Sequence, residues 1–281
     1  MACHDDLLDV GRWKLCSDCQ GVLYPFSRAR LRPQNIVKAY EQSASRIFEF
    51  RDDAFELEKL VDGSGPTVIL ALGMRSARKN GEGILRLIQE THPDAEIFRI
   101  HWNAGKSPIN LEAVSLIPRI GTAARVGAIL SRPVRAGYDF IRSRPRSMEA
   151  GRILGELIAQ TKSRSLVLVG HSLGAQLMVT AAETCAEFGR YDAISGVHLL
   201  GAAMRSTDDF LLLSESVDGL VYNYHSINDP ELRLLYGPLV ATAGANGIDT
   251  LFSNVKNVDV SDNVFSHSSE AYASGIERLH P

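Results

Sequence analysis

Residues 170–174, Gly-His-Ser-Leu-Gly, set a serine between two glycines directly after the apolar run "LVLV" at 166–169. A serine hydroxyl is a weak nucleophile until a neighbouring base takes its proton, and the oxyanion formed on attack needs amide donors close by. A sharp turn from strand to helix serves the second need. It lifts Oγ above the strand end and leaves the first helical N–H unpaired beside it. Residues 173–189, "LGAQLMVTAAETCAEFG", read as that helix. The stretch is expected to be a nucleophile elbow in which Ser172 attacks, Gly170, His171 and Gly174 shape the turn, and the Leu173 amide is one oxyanion donor.

The base and the acid should follow the serine in the chain, each at the end of a later strand. Of the histidines downstream, His198 lies inside the strand pattern "ISGVHLLGAA", His225 at the end of "GLVYNYHS", and His280 at the penultimate position, where a frayed end is expected. His267 sits in the polar stretch "SDNVFSHSSE", just past the last apolar run, and is the expected base. Asp229 follows "GLVYNYHS" and precedes Pro230, so it can be both the acid and the N-cap of a helix. Asp208 and Asp209 are the alternates, and Asp259 and Asp262 share a strand end with His267. The second oxyanion donor is expected in "LALGMRSARKNGEG", from the Met74 amide, with Arg75 next in line.

These residues need a scaffold that delivers loops to one edge. Short apolar runs at 67–73, 95–102, 165–170, 194–203, 219–226 and 255–261 read as strands, and 83–92, 147–162 and 173–189 as helices. That alternation predicts a mostly parallel sheet with helices on both faces. Residues 33–60 carry apolar residues at helical spacing after Pro33 and are expected to form a helix within an N-terminal extension, 1–64. The main domain is then 65–281.

Here the chain resembles the α/β-hydrolase superfamily, with "GHSLG" as its elbow, and more narrowly the DUF726 hydrolases. The narrower likeness rests on "LVLVGHSLGAQLM", "VHLLGAAM", "GLVYNYHSINDPELRLLYG" and "FRIHWNAG". The resemblance implies a lipase- or esterase-type serine hydrolase scaffold and supports Asp229 as the acid. No metal or organic cofactor is required by that chemistry.

Between 103 and 146 lies a segment that the sheet does not need. Lys106 and Arg119, Arg125, Arg132, Arg135, Arg142, Arg144 and Arg146 stand there against Glu112 and Asp139, while the whole chain is net −3. Its apolar residues recur at helical spacing, broken at Pro118, Pro133 and Pro145. A helical lid or cap is expected, and a basic, apolar lid could lie on an anionic membrane. The competing expectation is a plain cap whose arginines pair with acids elsewhere. The slightly acidic balance gives no sign of a nucleic-acid partner. There is no run of 18 apolar residues and no basic-then-apolar start, so a cytoplasmic protein is expected, with signal-free export as the alternative. Cys3, Cys16 and Cys19 cluster near the start, and Cys16-Ser-Asp-Cys19 has the spacing of a zinc knuckle without a second pair. Reduced thiols are the simpler expectation.

The expected activity is hydrolysis of a carboxylic ester, with a lipid or fatty-acid ester as the favoured substrate class. An amidase, peptidase or acyltransferase would use the same three residues. A non-catalytic, membrane-associated hydrolase-fold interaction protein is the other alternative, and it would also retain the turn.

Overall fold

A computed structural model describes the backbone of residues 7–10, 13–16, 22–23, 47–49, 55–74, 81–102, 122–161, 165–236, 240–249 and 252–280. Strands β1 (Leu7–Val10), β2 (Trp13–Cys16) and β3 (Val22–Leu23) form a small antiparallel sheet. Cys3, Cys19 and His4 lie outside the described residues, and Cys16 enters only as backbone of β2, so the zinc-knuckle expectation falls there too.

The main sheet has eight strands: β4 (Ile47–Glu49), β5 (Phe55–Val61), β6 (Thr67–Ala71), β7 (Glu96–Trp102), β8 (Leu166–His171), β9 (Ile194–Leu200), β10 (Val217–His225) and β11 (Val255–Asp259). Their order is β11-β10-β9-β8-β6-β7-β5-β4. β6 to β11 pair in parallel, and β4 and β5 add antiparallel partners at one edge. Here the expectation of a helix across 33–60 is corrected: 47–49 and 55–61 are strands of this sheet, which begins before residue 65. Residues 55–58, "FELE", alternate in the two-residue period of a strand, and buried Phe55 pairs with Trp102 of β7. Three or four apolar residues at mixed spacing fit both periods, and pairing with β7 decides between them.

The central parallel strands β6 and β8 are buried on both faces, which is why they read as nearly unbroken apolar runs. In β8, Leu166 and Leu168 belong to one core, and Val167 and Val169 to the other. On one face lie α2 (Thr122–Gln160), α3 (Leu173–Glu187), α4 (Leu211–Ser216), α5 (Pro230–Tyr236) and the short α6 (Ala243–Asn246). On the other, α1 (Glu82–Thr91) packs with α7 (Ser269–Gly275) over Ile84, Ile88, Tyr272 and Ile276.

α2 is one helix of 39 residues. The breaks expected at Pro133 and Pro145 do not occur, and the separate helix expected from 147 is its second half. An interior proline costs about 3 kcal/mol locally, so packing must hold the helix through it. The half of α2 after Pro145 packs closely: a Cβ on Gly151 or Gly155 would lie 2.5 Å from a backbone oxygen of α3, Leu177 or Ala181. The two helix backbones therefore touch. Farther up, the Phe140 ring meets Tyr236 of α5 edge-on at 5.1 Å. Residues 122–138 continue the helix about 25 Å past that contact at 1.5 Å per residue. Residues 103–121, the rest of the expected lid, lie outside the described residues. Among the described residues no helix is long and apolar enough to cross a membrane.

An elbow after a central parallel strand, with later strand ends delivering loops to the same edge, is the α/β-hydrolase fold.

Candidate active site

At the end of β8 the chain turns at Ser172 with φ 59° and ψ −122°, the one positive-φ residue other than glycine among those described. Such a backbone costs on the order of 1–3 kcal/mol and persists only where its surroundings fix it. They do: the Ser172 N–H donates to Leu200 O at 3.0 Å, and its carbonyl accepts from Ala175 N and Ala203 N. Both flanking glycines are sterically required. A Cβ on Gly170 would lie 2.6 Å from Gly174 O, and one on Gly174 only 2.1 Å from Ala71 O at the end of β6. That second approach presses the start of α3 against β6 and brings Gly73 beside the serine, where a Cβ would be 2.6 Å from Ser172 Cβ. Leu173, fully buried, opens α3, and half-buried Met74 follows Gly73. The two expected oxyanion donors thus belong to adjoining turns. Trp102, at the end of β7, donates from Nε1 to Leu72 O at 2.7 Å and fixes the peptide that leads into Gly73.

Ser172, His267 and Asp229 meet. The His267 ring reaches Ser172 Oγ with Nε2 at 2.6 Å and Asp229 Oδ2 with Nδ1 at 2.6 Å. With Nδ1–H donating to the carboxylate, Nε2 is left to accept the serine proton. All three side chains are buried, Asp229 completely. The two loops that carry Asp229 and His267 are joined: Ser226 Oγ donates to Val264 O at 2.6 Å, and Ile227 N to Ser261 Oγ at 3.0 Å. Asp229 also caps α5, its Oδ1 accepting from Glu231 N at 3.2 Å and Leu232 N at 3.3 Å. The contact with His267 and the cap of α5 are thus made by the two oxygens of one carboxylate. Burial alone would push the Asp229 carboxyl up. The hydrogen bond and charge of His267, with the Leu232 amide and Tyr272 hydroxyl, outweigh burial and hold it below its ordinary value.

The alternates lie elsewhere. Asp208 accepts from Arg205 N, and Asp209 from Leu211 N at the start of α4. His198 is buried against Tyr222 and Tyr224. His280, expected to be frayed, stacks on Tyr222 at 4.8 Å and donates its N–H to the Tyr224 hydroxyl. Asp259 binds the Ser261 side chain and amide.

Two residues around the three were not singled out as functional from the sequence. Tyr272 donates its hydroxyl to Asp229 Oδ2 at 3.0 Å. His171, named above only for the turn, lays its ring 5.1 Å from that of His267, and neither of its nitrogens has a hydrogen-bond partner among the described residues. Burial, helped by the nearby His267 and only partly opposed by Asp229, pushes its pKa down to about 3, so it stays neutral beside His267. Among the described residues no group of three or more His, Cys, Asp or Glu side chains is placed to hold a metal ion.

Comparison with known proteins places this arrangement in a family. An uncharacterized membrane protein of Schizosaccharomyces pombe, C6F6.13c, is 31% identical over 186 residues, which are 61% of this chain and 31% of that protein. The match thus spans less than a third of the longer relative. Among solved structures, a dienelactone hydrolase from Anabaena variabilis is similar at 14% identity and a TM-score of 0.43, covering 83% of this chain and 93% of that one. An esterase, RhEst1, from Rhodococcus sp. is similar at 12% identity and a TM-score of 0.41, covering 80% and 92%. Residues 125–278, which include the elbow, Asp229 and His267, match the family described as "Protein of unknown function (DUF726)". The chain belongs to the DUF726 family.

Proposed function

We propose that the chain is a serine hydrolase that cleaves carboxylic esters through an acyl-enzyme on Ser172. The observation that carries this reading is the unbroken hydrogen-bonded line from Ser172 Oγ through the His267 ring to Asp229. His267 Nε2 takes the Oγ proton as Oγ bonds to the ester carbonyl carbon. The carbonyl oxygen becomes an oxyanion facing the Leu173 and Met74 amides. The imidazolium then passes its proton to the alkoxide oxygen as the C–O bond breaks and the alcohol leaves. Water, deprotonated by the same nitrogen, attacks the acyl carbon, and the imidazolium returns that proton to Ser172 Oγ as the Oγ–acyl bond breaks and the acid leaves. Asp229 holds the Nδ1–H tautomer and balances the imidazolium charge. An amidase, peptidase or acyltransferase would share these steps and differ in leaving group or acceptor.

An apolar acyl group is favoured by side chains on the segments that carry the site. Ile227 and Phe265, each two positions before a member of the site, are 52% and 63% exposed, and Leu234 on α5 is 55% exposed. A single large exposed apolar residue is ordinary; exposed apolar residues on the segments that carry Asp229 and His267 suit a lipid or fatty-acid ester. The test is reaction with a fluorophosphonate probe, mapped by peptide mass spectrometry, alongside p-nitrophenyl esters of increasing chain length. Modification at Ser172 with turnover of acyl esters is expected. A protein that neither takes up the probe nor hydrolyses any ester, with or without lipid, is no serine hydrolase.

The lipid preference extends to a surface. Arg125, Arg132 and Arg135 fall within 122–138 of α2, a stretch of sequence without an acidic residue. We propose that this end of α2 rests on anionic membrane. Sedimentation with phosphatidylserine vesicles should capture the protein at low salt and release it as salt rises. Equal capture by neutral vesicles, or none by either, overturns this part alone.

A further inference from the structure

The structure assigns Tyr272 as a positioning residue of the same site: its hydroxyl fixes the Asp229 carboxylate and sets how strongly that carboxylate draws on the His267 ring. The assignment builds on the hydrolase reading, although the contact between Tyr272 and the Asp229–His267 pair stands on its own geometry.

Asp229 is held by four donors. Oδ1 takes the Glu231 and Leu232 amides, while Oδ2 takes His267 Nδ1 at 2.6 Å and the Tyr272 hydroxyl at 3.0 Å. Two donors therefore compete for the oxygen that matters to the base. A carboxylate that shares its charge with a second donor is a weaker acceptor for the first. Tyr272 thus trims the pull of Asp229 on His267 while preventing the carboxylate from swinging about its Cβ–Cγ bond.

Tyr272 itself has little freedom. It is fully buried, and Gly201 faces its ring so closely that a Cβ there would lie 2.7 Å from Cζ and 2.8 Å from the hydroxyl. Its ring stands edge-on to His171 at 5.6 Å and to His267 at 6.4 Å. α7 begins immediately after His267, with Ser268 Oγ accepting from Ala271 N as its N-cap. One capped turn thus carries both the base and the hydroxyl that adjusts the acid. The weaker contact of the hydroxyl with Gly244 O, at 3.4 Å, leaves Asp229 as its main acceptor. Burial and the Asp229 charge raise the phenol above its ordinary value, so it remains a donor throughout the working pH range. His171, whose ring also lies against that of His267, stays neutral until about pH 3 and changes no charge beside it over the tested range. A change in the His267 titration can therefore be read as a change at Asp229.

The test compares wild type with Tyr272→Phe, in which the ring still fills its place. The His267 titration is followed by NMR of 15N-histidine-labelled protein, and the rate of fluorophosphonate labelling is measured from pH 5 to 9. Without the hydroxyl, the His267 midpoint should rise by roughly half a unit to one unit, and the plateau labelling rate should fall about tenfold. Incorporation of 3-fluorotyrosine at 272, a stronger donor of nearly the same shape, should move the midpoint the other way. Unchanged midpoint and rate in folded Tyr272→Phe protein overturn the assignment, even if its melting temperature drops. If the phenylalanine variant does not fold, an unshifted midpoint in the fluorotyrosine protein overturns it equally. A midpoint that moves in a protein whose Ser172 never labels leaves Tyr272 positioning the pair and removes the hydrolase reading instead.

Discussion

Asp229→Asn is expected to lower ester turnover about 10⁴-fold while leaving the protein folded. The large factor comes from a tautomer. An asparagine amide can present its NH₂ to the His267 ring where the carboxylate accepted, so Nδ1 becomes the acceptor and the proton moves to Nε2. That nitrogen, 2.6 Å from Ser172 Oγ in the native protein, can then no longer take the serine proton. The fold should survive because the asparagine carbonyl oxygen still caps α5 through the Glu231 and Leu232 amides. The measurement is kcat on the best p-nitrophenyl ester, with circular dichroism to verify folding. A loss below about tenfold would mean that Asp229 is only the cap of α5.

The second large effect is on stability in acid. His171 and His198 are both buried, and both are pushed down to about pKa 3. For His198 burial dominates, with His92 and His280 adding to it. In the unfolded chain each titrates near 6.5. A group whose folded pKa lies below its unfolded one contributes stability that is complete above the unfolded value and is lost as pH falls toward the folded value. Each histidine should therefore cost on the order of 1 kcal/mol per pH unit as pH falls from roughly 6 towards 3, and the pair about twice that. A typical domain holds only about 5–15 kcal/mol in all, so unfolding near pH 4 is expected. Asp229, depressed rather than raised, adds its own loss lower still. Melting temperature measured from pH 7.5 to 4 should fall steeply below pH 6, and His198→Phe should reduce the slope by about half. A flat profile down to pH 4 would show that these rings gain protons without unfolding.

What the sequence made legible depended on how local the cause was. The elbow could be read because strand, glycines, serine and helix are contiguous, and their steric needs are met within a few residues. Asp229 and His267 could be read because chain order and strand ends narrow the choice, and the structure brings both to Ser172. β4 and β5 could not. Their pairing with β7 is long-range, and a short amphipathic stretch such as 55–61 fits two periods until a partner selects one. The length of α2 was equally hidden, since Gly151 and Gly155 earn their meaning only against α3. Tyr272 carried no signal at all: five positions after His267, in "SSEAYASG", it is an ordinary helical aromatic until Asp229 is placed beside it.

The bond between Ser172 and His267 closes a loop of 95 residues, and that between Asp229 and His267 one of 38. In synthesis the elbow therefore emerges long before its partners. A nascent or partly folded chain that already displays β6, β8 and α3 has a serine in a strained turn and nothing to take its proton. Only when β11 has docked and the last capped helix has formed does the hydroxyl gain its base. The reagent that marks Ser172 would then mark only chains folded to their final strand, and its slow appearance after dilution from denaturant would time that last docking step. On the hydrolase reading proposed above, turnover waits for that docking.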